Sequence, residues 1–261
     1  MNPKTVSRRP TATRSILAVA MLWLVLMGIS LHALAQVAGT VTQLSGPMMA
    51  KKADGKVKIL SLKSDVESGD TLTTEKNTYA LVKFIDNSEI TLKPGTTFVV
   101  EQFAYQSEQP DGDRASFNLV KGGLRSLSGL LGKRNKEKFS LKTPVATIGI
   151  RGTYFTVEYI GAGGTIPSAP TLPKTAVPSL PPGLYTSVID GQIQVRNPSG
   201  TLNFAAGQFG YTPSASQPPI LIPQNPGLQF TPPPSFTTIG PVASGQSATP
   251  DKSGGVDCEV R

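Results

Sequence analysis

Side chains able to perform catalysis are scarce in this sequence of 261 residues. It contains one histidine, His32, and one cysteine, Cys258. Ser-His and Cys-His nucleophile pairs need an imidazole, and zinc sites combine several cysteine or histidine ligands. The segment around His32 has the pattern of a cleavable leader, so the mature chain would hold no imidazole. These counts exclude hydrolases of those types, and they predict no metal site and no cofactor.

Carboxylates are the remaining candidates for chemistry, because a glycosidase needs only two of them facing each other across a cleft. Asp70, Asp86 and Asp190 each stand where a strand-like segment ends. Aspartate is enriched at such points because its side chain bonds nearby backbone groups and stabilises the turn. We therefore interpret all three as turn residues. A carboxylate-based hydrolase remains a less favoured alternative to a protein that is not an enzyme.

The first 35 residues have the three parts of a secretory signal. Residues 4–14 carry four basic side chains and no acid, residues 16–31 are apolar, and small residues occupy Ala33 and Ala35. We predict cleavage after Ala35 and a periplasmic or secreted protein. The alternative is an uncleaved inner-membrane anchor through residues 16–34, since the apolar run approaches the length that spans a bilayer.

The charge balance argues against a nucleic-acid partner. Removing the leader lowers the formal net charge from +8 to +4, and the remaining basic residues are spread along the chain. Nucleic-acid binding domains instead concentrate Lys and Arg on one face or along one helix. The modest positive charge is a matter of solubility.

The elements that must position these residues are short strands. Residues 37–160 form a series of alternating segments bounded by Gly, Asn, Asp and Pro, which is typical of an all-β domain. In Glu89–Lys93 the alternation places Ile90 and Leu92 inward and the polar side chains in water. A repeated order of strand, glycine turn and strand favours a short β-solenoid or β-helix-like stack. A β-sandwich is the alternative, because it needs similar strands and turns.

Composition divides the rest of the chain into three parts. Residues 161–183 are interpreted as an inserted loop rich in Pro and Gly, and residues 184–212 regain strand character and continue the β domain. Residues 213–261 form a Pro-rich tail with few branched apolar side chains, which predicts disorder. Phe230 and Phe236 in this tail could line a glycan or peptide groove, or they could anchor the tail to the domain.

Cys258, also in the tail, has no second cysteine with which to form a disulfide inside the chain. We interpret it as a thiol without a role, with a disulfide between two chains as the alternative in an oxidising compartment.

The most informative stretch runs from Thr143 to Phe155, an apolar segment in which Gly149 and Gly152 flank Arg151. Glycine accepts backbone conformations that a Cβ forbids, so the stretch predicts a strand, tight turns at both glycines, and a second strand. The Arg151 guanidinium would then bond backbone carbonyls in the turn, or it would contact a carboxylate or phosphate of a partner. Arg151→Ala should give a misfolded protein in the first case and a folded, non-binding one in the second.

This stretch resembles the signature of the FecR domain, named for a ferric-citrate signal-relay protein. Three further blocks resemble the domain in the same order, namely Ser68–Thr74, Ala80–Leu92 and Val120–Arg125. Asn87 stands where the family usually has glycine, and asparagine tolerates the same left-handed conformation. The motif positions, which we interpret as structural, are Gly69, Asp70, Asp86, Ser88, Gly122, Thr143, Pro144, Gly149, Arg151, Gly152 and Thr153.

The resemblance implies a protein-interaction or signalling module of the Gram-negative envelope. The relay proteins combine a cytoplasmic sigma-binding segment, one membrane span and a periplasmic FecR domain. Here few residues precede the apolar run, so we expect no direct contact with a sigma factor. We expect an envelope protein as the partner, with peptidoglycan or another polysaccharide as the alternative.

Overall fold

The computed structural model describes residues 36–161, 180–233 and 236. Within these ranges the chain forms seventeen strands, one short helix and two 3-10 turns, which confirms the prediction of an all-β protein. None of the helices in these ranges is long and apolar enough to cross a membrane. The strands are β1 Val37–Leu44, β2 Met48–Lys51, β3 Val57–Leu60, β4 Asp65–Glu67, β5 Thr71–Thr74, β6 Ala80–Phe84, β7 Glu89–Leu92, β8 Thr97–Ala104, β9 Arg114–Leu127, β10 Phe139–Lys142, β11 Thr147–Ile150, β12 Tyr154–Ile160, β13 Gly183–Asp190, β14 Gln192–Asn197, β15 Gly200–Ala205, β16 Phe209–Thr212 and β17 Ile220–Ile222. The helix α1 is Leu130–Arg134, and the 3-10 turns are Pro110–Gly112 and Lys136–Lys138.

Strand pairing produces two sheets that have β9 in common. Sheet A follows the order β4, β1, β6, β7, β9, β12, β13, β16 and β17. Sheet B follows the order β3, β2, β5, β8, β9, β10, β11, β14 and β15. Neighbouring strands are antiparallel throughout, except that β10 runs parallel to β9.

Strand β9 passes from one sheet to the other at Gly122. Its first half pairs with β8 in sheet B, and its second half pairs with β7 and β12 in sheet A. Gly122 has a φ of +85°, and a Cβ there would lie 2.6 Å from the Thr96 hydroxyl oxygen. That hydroxyl donates to the Gly123 carbonyl at 2.9 Å and accepts from the Gly123 N–H at 3.1 Å. Glycine at 122 is therefore required by both the conformation and the close approach of Thr96.

The core lies between the two sheets. Phe84 of sheet A meets two rings of sheet B, with ring centroids 4.8 Å from Phe103 and 5.3 Å from Phe117. Phe117 also stacks on Phe98 at 5.4 Å. Apolar area removed from water stabilises a fold by about 25 cal/mol per Å², so these rings hold the two sheets together.

The segment after β16 differs from the disordered tail that composition predicts for 213–261. Strand β17 pairs with β16, and Phe236 is only 5% exposed. Composition indicates only that the tail cannot order itself in isolation. In the structure the described part of the tail packs on a sheet that is already formed. The predicted leader 1–35, most of the predicted loop 161–183, Cys258 and the remaining tail lie outside the described residues.

Candidate functional site

Asp70, in the turn between β4 and β5, is a buried structural carboxylate. It accepts hydrogen bonds from the Lys52 ammonium and from the Glu67 N–H, both at 2.9 Å. The preceding Gly69 has a φ of +92°, which a side chain would strain. Burial lowers the pKa of Lys52, but its hydrogen bonds to Asp70 and Glu67 outweigh that effect and raise the pKa overall. These contacts stabilise the turn.

Asp86 joins the turn after β6 to helix α1. Its carboxylate accepts from the Ser88 N–H at 2.9 Å, from the Ser88 hydroxyl at 2.5 Å and from the Leu131 N–H at 3.1 Å. Its own carbonyl accepts from the Leu130 N–H at 2.8 Å. Asn87 has a φ of 62°, the left-handed conformation expected for this position. The carboxylate is thus fully used by the fold.

Two hydroxyls organise the signature stretch. Thr143 donates to the Ala146 carbonyl at 2.8 Å and accepts from the Ala146 N–H at 3.1 Å, which closes the turn around Pro144. Thr153 donates to the Gln192 carbonyl at 3.0 Å and so ties the end of β11 to β14. Both side chains therefore act on the backbone.

The two glycines of the stretch behave differently. Gly152 has a φ of +64° and forms the turn between β11 and β12, as the sequence predicts. The predicted turn at Gly149 is wrong, because Gly149 lies inside β11 opposite Gln194. The strand continues to Ile150, whose side chain is buried, and this burial holds the segment extended.

Arg151 lies on the surface at this turn. Its N–H donates to the Gln192 carbonyl at 2.9 Å. Its guanidinium makes no hydrogen bond or ion pair with any residue that the structure describes, so the interpretation in which it bonds backbone carbonyls does not hold. An exposed guanidinium next to a rigid turn is available to a carboxylate or phosphate.

The two best-formed pockets among the described residues are too small for a small-molecule ligand. The two best-formed cavities measure about 10 and 20 Å³, which is room for about one water each, whereas ligand pockets hold roughly 300 Å³ or more. Nor do the described residues bring three His, Cys, Asp or Glu side chains together as a metal site would require. Two regions of the described surface are candidates for binding.

The first such surface is strand β3, which ends sheet B and, among the described strands, pairs with β2 alone. Its Val57 and Ile59 side chains are 65% and 75% exposed. They share the outer face of the sheet with Lys51 and Met49, which lie directly opposite them on β2. We call these four residues the β3 edge.

The surroundings of the β3 edge are basic. Lys51, Lys56, Lys58 and Lys63 are all exposed. Between residues 51 and 63 the one acid is Asp54, which pairs with Lys56 at 2.8 Å. The edge therefore combines an apolar strip with a positive field.

No motif in the sequence singles out Val57 and Ile59. The alternation of lysine with apolar residues in 56–59 is typical of a strand whose apolar side chains face the core. In the structure the core position on β3 is Leu60, which is 2% exposed, so Val57 and Ile59 face outward. The one local sign of this in the sequence is Leu60, which directly follows Ile59 and so breaks the alternation of lysine with apolar residues.

The second surface is the outer face of sheet A, covered by the end of the described chain. We call residues 223–233 and 236 the C-terminal strap. Phe230 of the strap lies over the Arg125 guanidinium at 4.5 Å and meets the Tyr79 ring at 5.9 Å. Phe236 meets the same Tyr79 ring at 6.2 Å. Burial raises the pKa of Tyr79, which fits a ring enclosed by the strap.

An ion pair lies beside the strap. Lys93 and Glu158 approach to 2.6 Å, and their side chains are 16% and 14% exposed. The cavity of about 20 Å³ lies between this pair and the strap residues Leu228 and Phe230. The strap thus covers charge as well as aromatic surface.

Comparisons with known proteins agree with the motif blocks. Residues 70–166 match the family model described as FecR protein. Two crystal structures of a candidate anti-sigma factor from Parabacteroides distasonis, at 1.65 and 2.50 Å resolution, are similar at 13% and 14% identity, with TM-scores of 0.39 and 0.40. Each similarity covers 57% of this chain and 57% of that chain. No match was found among curated proteins. Residues 70–166 of this chain are therefore similar to the FecR family.

Proposed function

We propose that this protein is an exported, non-catalytic interaction module of a signalling or regulatory system, and that it binds another protein of the cell envelope. The FecR match supports a regulatory role. The observation that carries the proposal is the β3 edge, where Val57 and Ile59 stand in solvent at the end of a sheet. Exposed apolar patches at open edges mark interaction sites more often than isolated apolar side chains do.

Export rests on the composition of residues 1–35. The basic segment, the apolar run and Ala33 and Ala35 support cleavage and release into the periplasm or beyond. N-terminal sequencing of the protein from an envelope fraction tests this, with Gln36 as the expected first residue. An intact leader in the membrane fraction would favour the anchored alternative through residues 16–34.

A polysaccharide or peptidoglycan partner is the second candidate. Sugar rings pack on flat aromatic faces presented to solvent. The rings that the tail supplies are already occupied, because Phe230 packs on Arg125 and both Phe230 and Phe236 contact Tyr79. The described surface therefore favours a protein partner, with no role proposed for nucleic acid or for direct sigma-factor binding.

For the architecture we propose the β-sandwich alternative. A β-helix-like stack pairs equivalent strands in parallel, whereas here one neighbouring pair among the described strands is parallel. The rings of Phe84 and Phe103 meet between the two sheets at 4.8 Å, as side chains do in a sandwich core.

The test is a pull-down from envelope extract with residues 36–261 as bait, beside a pelleting assay with insoluble peptidoglycan. Ile59→Lys places a charge on the β3 edge. Thr201→Lys is the matched control, because Thr201 is an exposed residue of β15 at the opposite end of sheet B. We expect one envelope protein to be retained by the wild type and by Thr201→Lys and to be lost with Ile59→Lys. Pelleting with peptidoglycan without a protein partner would replace the proposal by its alternative.

A further inference from the structure

We infer that the β3 edge binds an extended, acidic segment of a partner protein, which adds to sheet B as a further strand. This inference rests on the proposed interaction function and specifies the chemistry of the partner. Three features of the edge carry it: its unpaired backbone, its apolar strip and its charge.

Strand β3 has backbone N–H and C=O groups that a partner strand could bond. In an antiparallel pair, residues alternate between those that bond the partner strand and those that point away from it. The Lys52 backbone N–H donates to the Lys56 carbonyl at 2.8 Å, so in this register the backbones of Lys58 and Leu60 also bond β2. The N–H and C=O groups of Val57 and Ile59 therefore point outward from the sheet, where none of the described strands pairs with them.

The side chains of the same residues form an apolar strip. Val57 and Ile59 project from the outer face, and Met49 lies directly opposite Ile59. An added strand presents every second side chain to the same face of the sheet. A partner strand with apolar residues at alternate positions would therefore extend the strip while bonding the backbone, which is the usual mode of strand addition.

The charge selects an acidic partner. Lys51 lies opposite Val57 on the same face, and Lys56 and Lys58 flank Val57 along the chain; all three side chains are exposed. Two copies of this edge would bring these lysines together, and like charges opposite one another destabilise a strand pair. A second copy of the chain is thus disfavoured, whereas carboxylates on a partner strand complement the lysines.

Other open edges are poorer candidates. Strand β17 exposes Ile220 and Leu221, but Pro219 and Pro223 flank it and lack the N–H groups that a longer ladder needs. Strand β15 exposes Thr201 and Asn203, which are polar. An anionic lipid surface would satisfy the lysines and the apolar strip of β3, but it would leave the backbone groups without partners, so a peptide strand fits better.

The experiment measures binding of two fluorescein-labelled eight-residue peptides to the chain 36–261 by fluorescence anisotropy. One peptide alternates glutamate with valine, and the other alternates lysine with valine. We expect the acidic peptide to bind at least ten-fold more tightly, to weaken as salt is raised, and to slow amide hydrogen exchange at Val57 and Ile59. Vesicles of anionic phosphatidylglycerol are tested in parallel.

Two variants separate backbone from side chain. Val57→Pro removes one outward N–H while leaving the bonds to β2, since proline is tolerated on the solvent side of an edge strand, and circular dichroism checks that the fold is kept. Ile59→Thr trims the strip and keeps the backbone. We expect at least a ten-fold loss for Val57→Pro, a smaller loss for Ile59→Thr and none for Thr201→Lys.

Equal affinity for the two peptides would overturn the inference, as would binding that Val57→Pro leaves unchanged or vesicle binding without amide protection at β3. These outcomes are independent of the pull-down. An envelope protein lost with Ile59→Lys but no preference for the acidic peptide would leave the proposed function standing and remove strand addition.

Discussion

The outer face of sheet A and the β3 edge of sheet B differ in what covers them. On sheet A, Leu81 and Thr91 share a face with Arg125 by register and are 4% and 2% exposed. The C-terminal strap lies over this face through Phe230. On sheet B, Ile59 is 75% exposed at the end of its sheet. Within the part of the chain that the structure describes, the C-terminal strap covers the first region and no segment covers the second.

This difference indicates which of the two surfaces is accessible to a partner. A partner for sheet A must first displace the strap, including an Arg–aromatic contact of about 0.5–2 kcal/mol. A partner for the β3 edge displaces only water. The comparison predicts that changes under the strap lower stability, whereas changes at the β3 edge alter binding alone.

The largest effect on stability is expected at Asp86, because its carboxylate joins the turn after β6 to helix α1. Asp86→Ala removes the carboxylate that bonds Ser88 and Leu131 and leaves those N–H groups unpaired. We expect the free energy of unfolding in urea to fall by about 2–4 kcal/mol. The C-terminal strap and the β3 edge should unfold in the same transition. Ser88→Ala removes the hydroxyl bond to Asp86 and keeps the Ser88 N–H bond, so it is the control and should lose less. A change below about 0.5 kcal/mol for Asp86→Ala would contradict this role.

A second prediction concerns the stability of the fold in acid. The Arg134 guanidinium bonds Asp113 at 2.6 and 2.7 Å and lowers the pKa of that carboxyl. A carboxyl with a lowered pKa in the folded state stabilises the fold above its unfolded pKa of about 3.9, and this stability is lost as the pH falls through the folded pKa. Asp113→Asn should therefore unfold more easily at pH 7 and show less further loss between pH 5 and 3. An acid slope identical to that of the wild type would show that Asp113 contributes nothing.

The strap itself gives the next effect in size. Phe236→Ala removes a ring that is 5% exposed and contacts Tyr79. We expect a loss of about 1–3 kcal/mol, below that of a fully enclosed phenylalanine, and faster amide exchange over residues 223–233. Ile220→Ala, at a side chain that is 46% exposed, is the control and should change neither. Unaltered exchange in the strap would show that Phe236 is not its anchor.

The smallest effect on stability is expected at the β3 edge. Ile59→Thr should change the free energy of unfolding by less than about 0.5 kcal/mol, because its side chain is already in solvent. Leu60→Ala, one residue later and 2% exposed, should lose about 2–4 kcal/mol. Urea unfolding of the two variants side by side measures the contrast. Similar losses would mean that Ile59 is part of the core.

Sequence reasoning was reliable where structure depends on neighbours along the chain. The turn at Gly152 and the left-handed Asn87 follow from local conformational preferences, and so does the all-β class. It was less reliable where distant segments decide. The alternation in 89–93 places Thr91 in water, yet Thr91 is 2% exposed on the face that the strap covers. Likewise, the outward direction of Ile59 depends on pairing with β2, which the alternation of lysine with apolar residues in 56–59 does not reveal.

The residues of the candidate site show the same contrast between features set by neighbours along the chain and features set by distant segments. Asp70 and Asp86 lie in turns, where aspartate chemistry places them. In one of the two interpretations the Arg151 guanidinium bonds backbone carbonyls, but the Gln192 carbonyl already accepts from the Arg151 N–H and the Thr153 hydroxyl. That competition comes from β14, about forty residues later, so the motif alone could not reveal it.

Strand β9 has a consequence for how the protein unfolds. One continuous backbone pairs with β8 and β10 on one side of Gly122 and with β7 and β12 on the other. Neither sheet can lose this strand without breaking the middle of the other. We therefore expect a single cooperative transition with coincident spectroscopic signals, and slow folding, because most of the pairings join residues far apart in the chain.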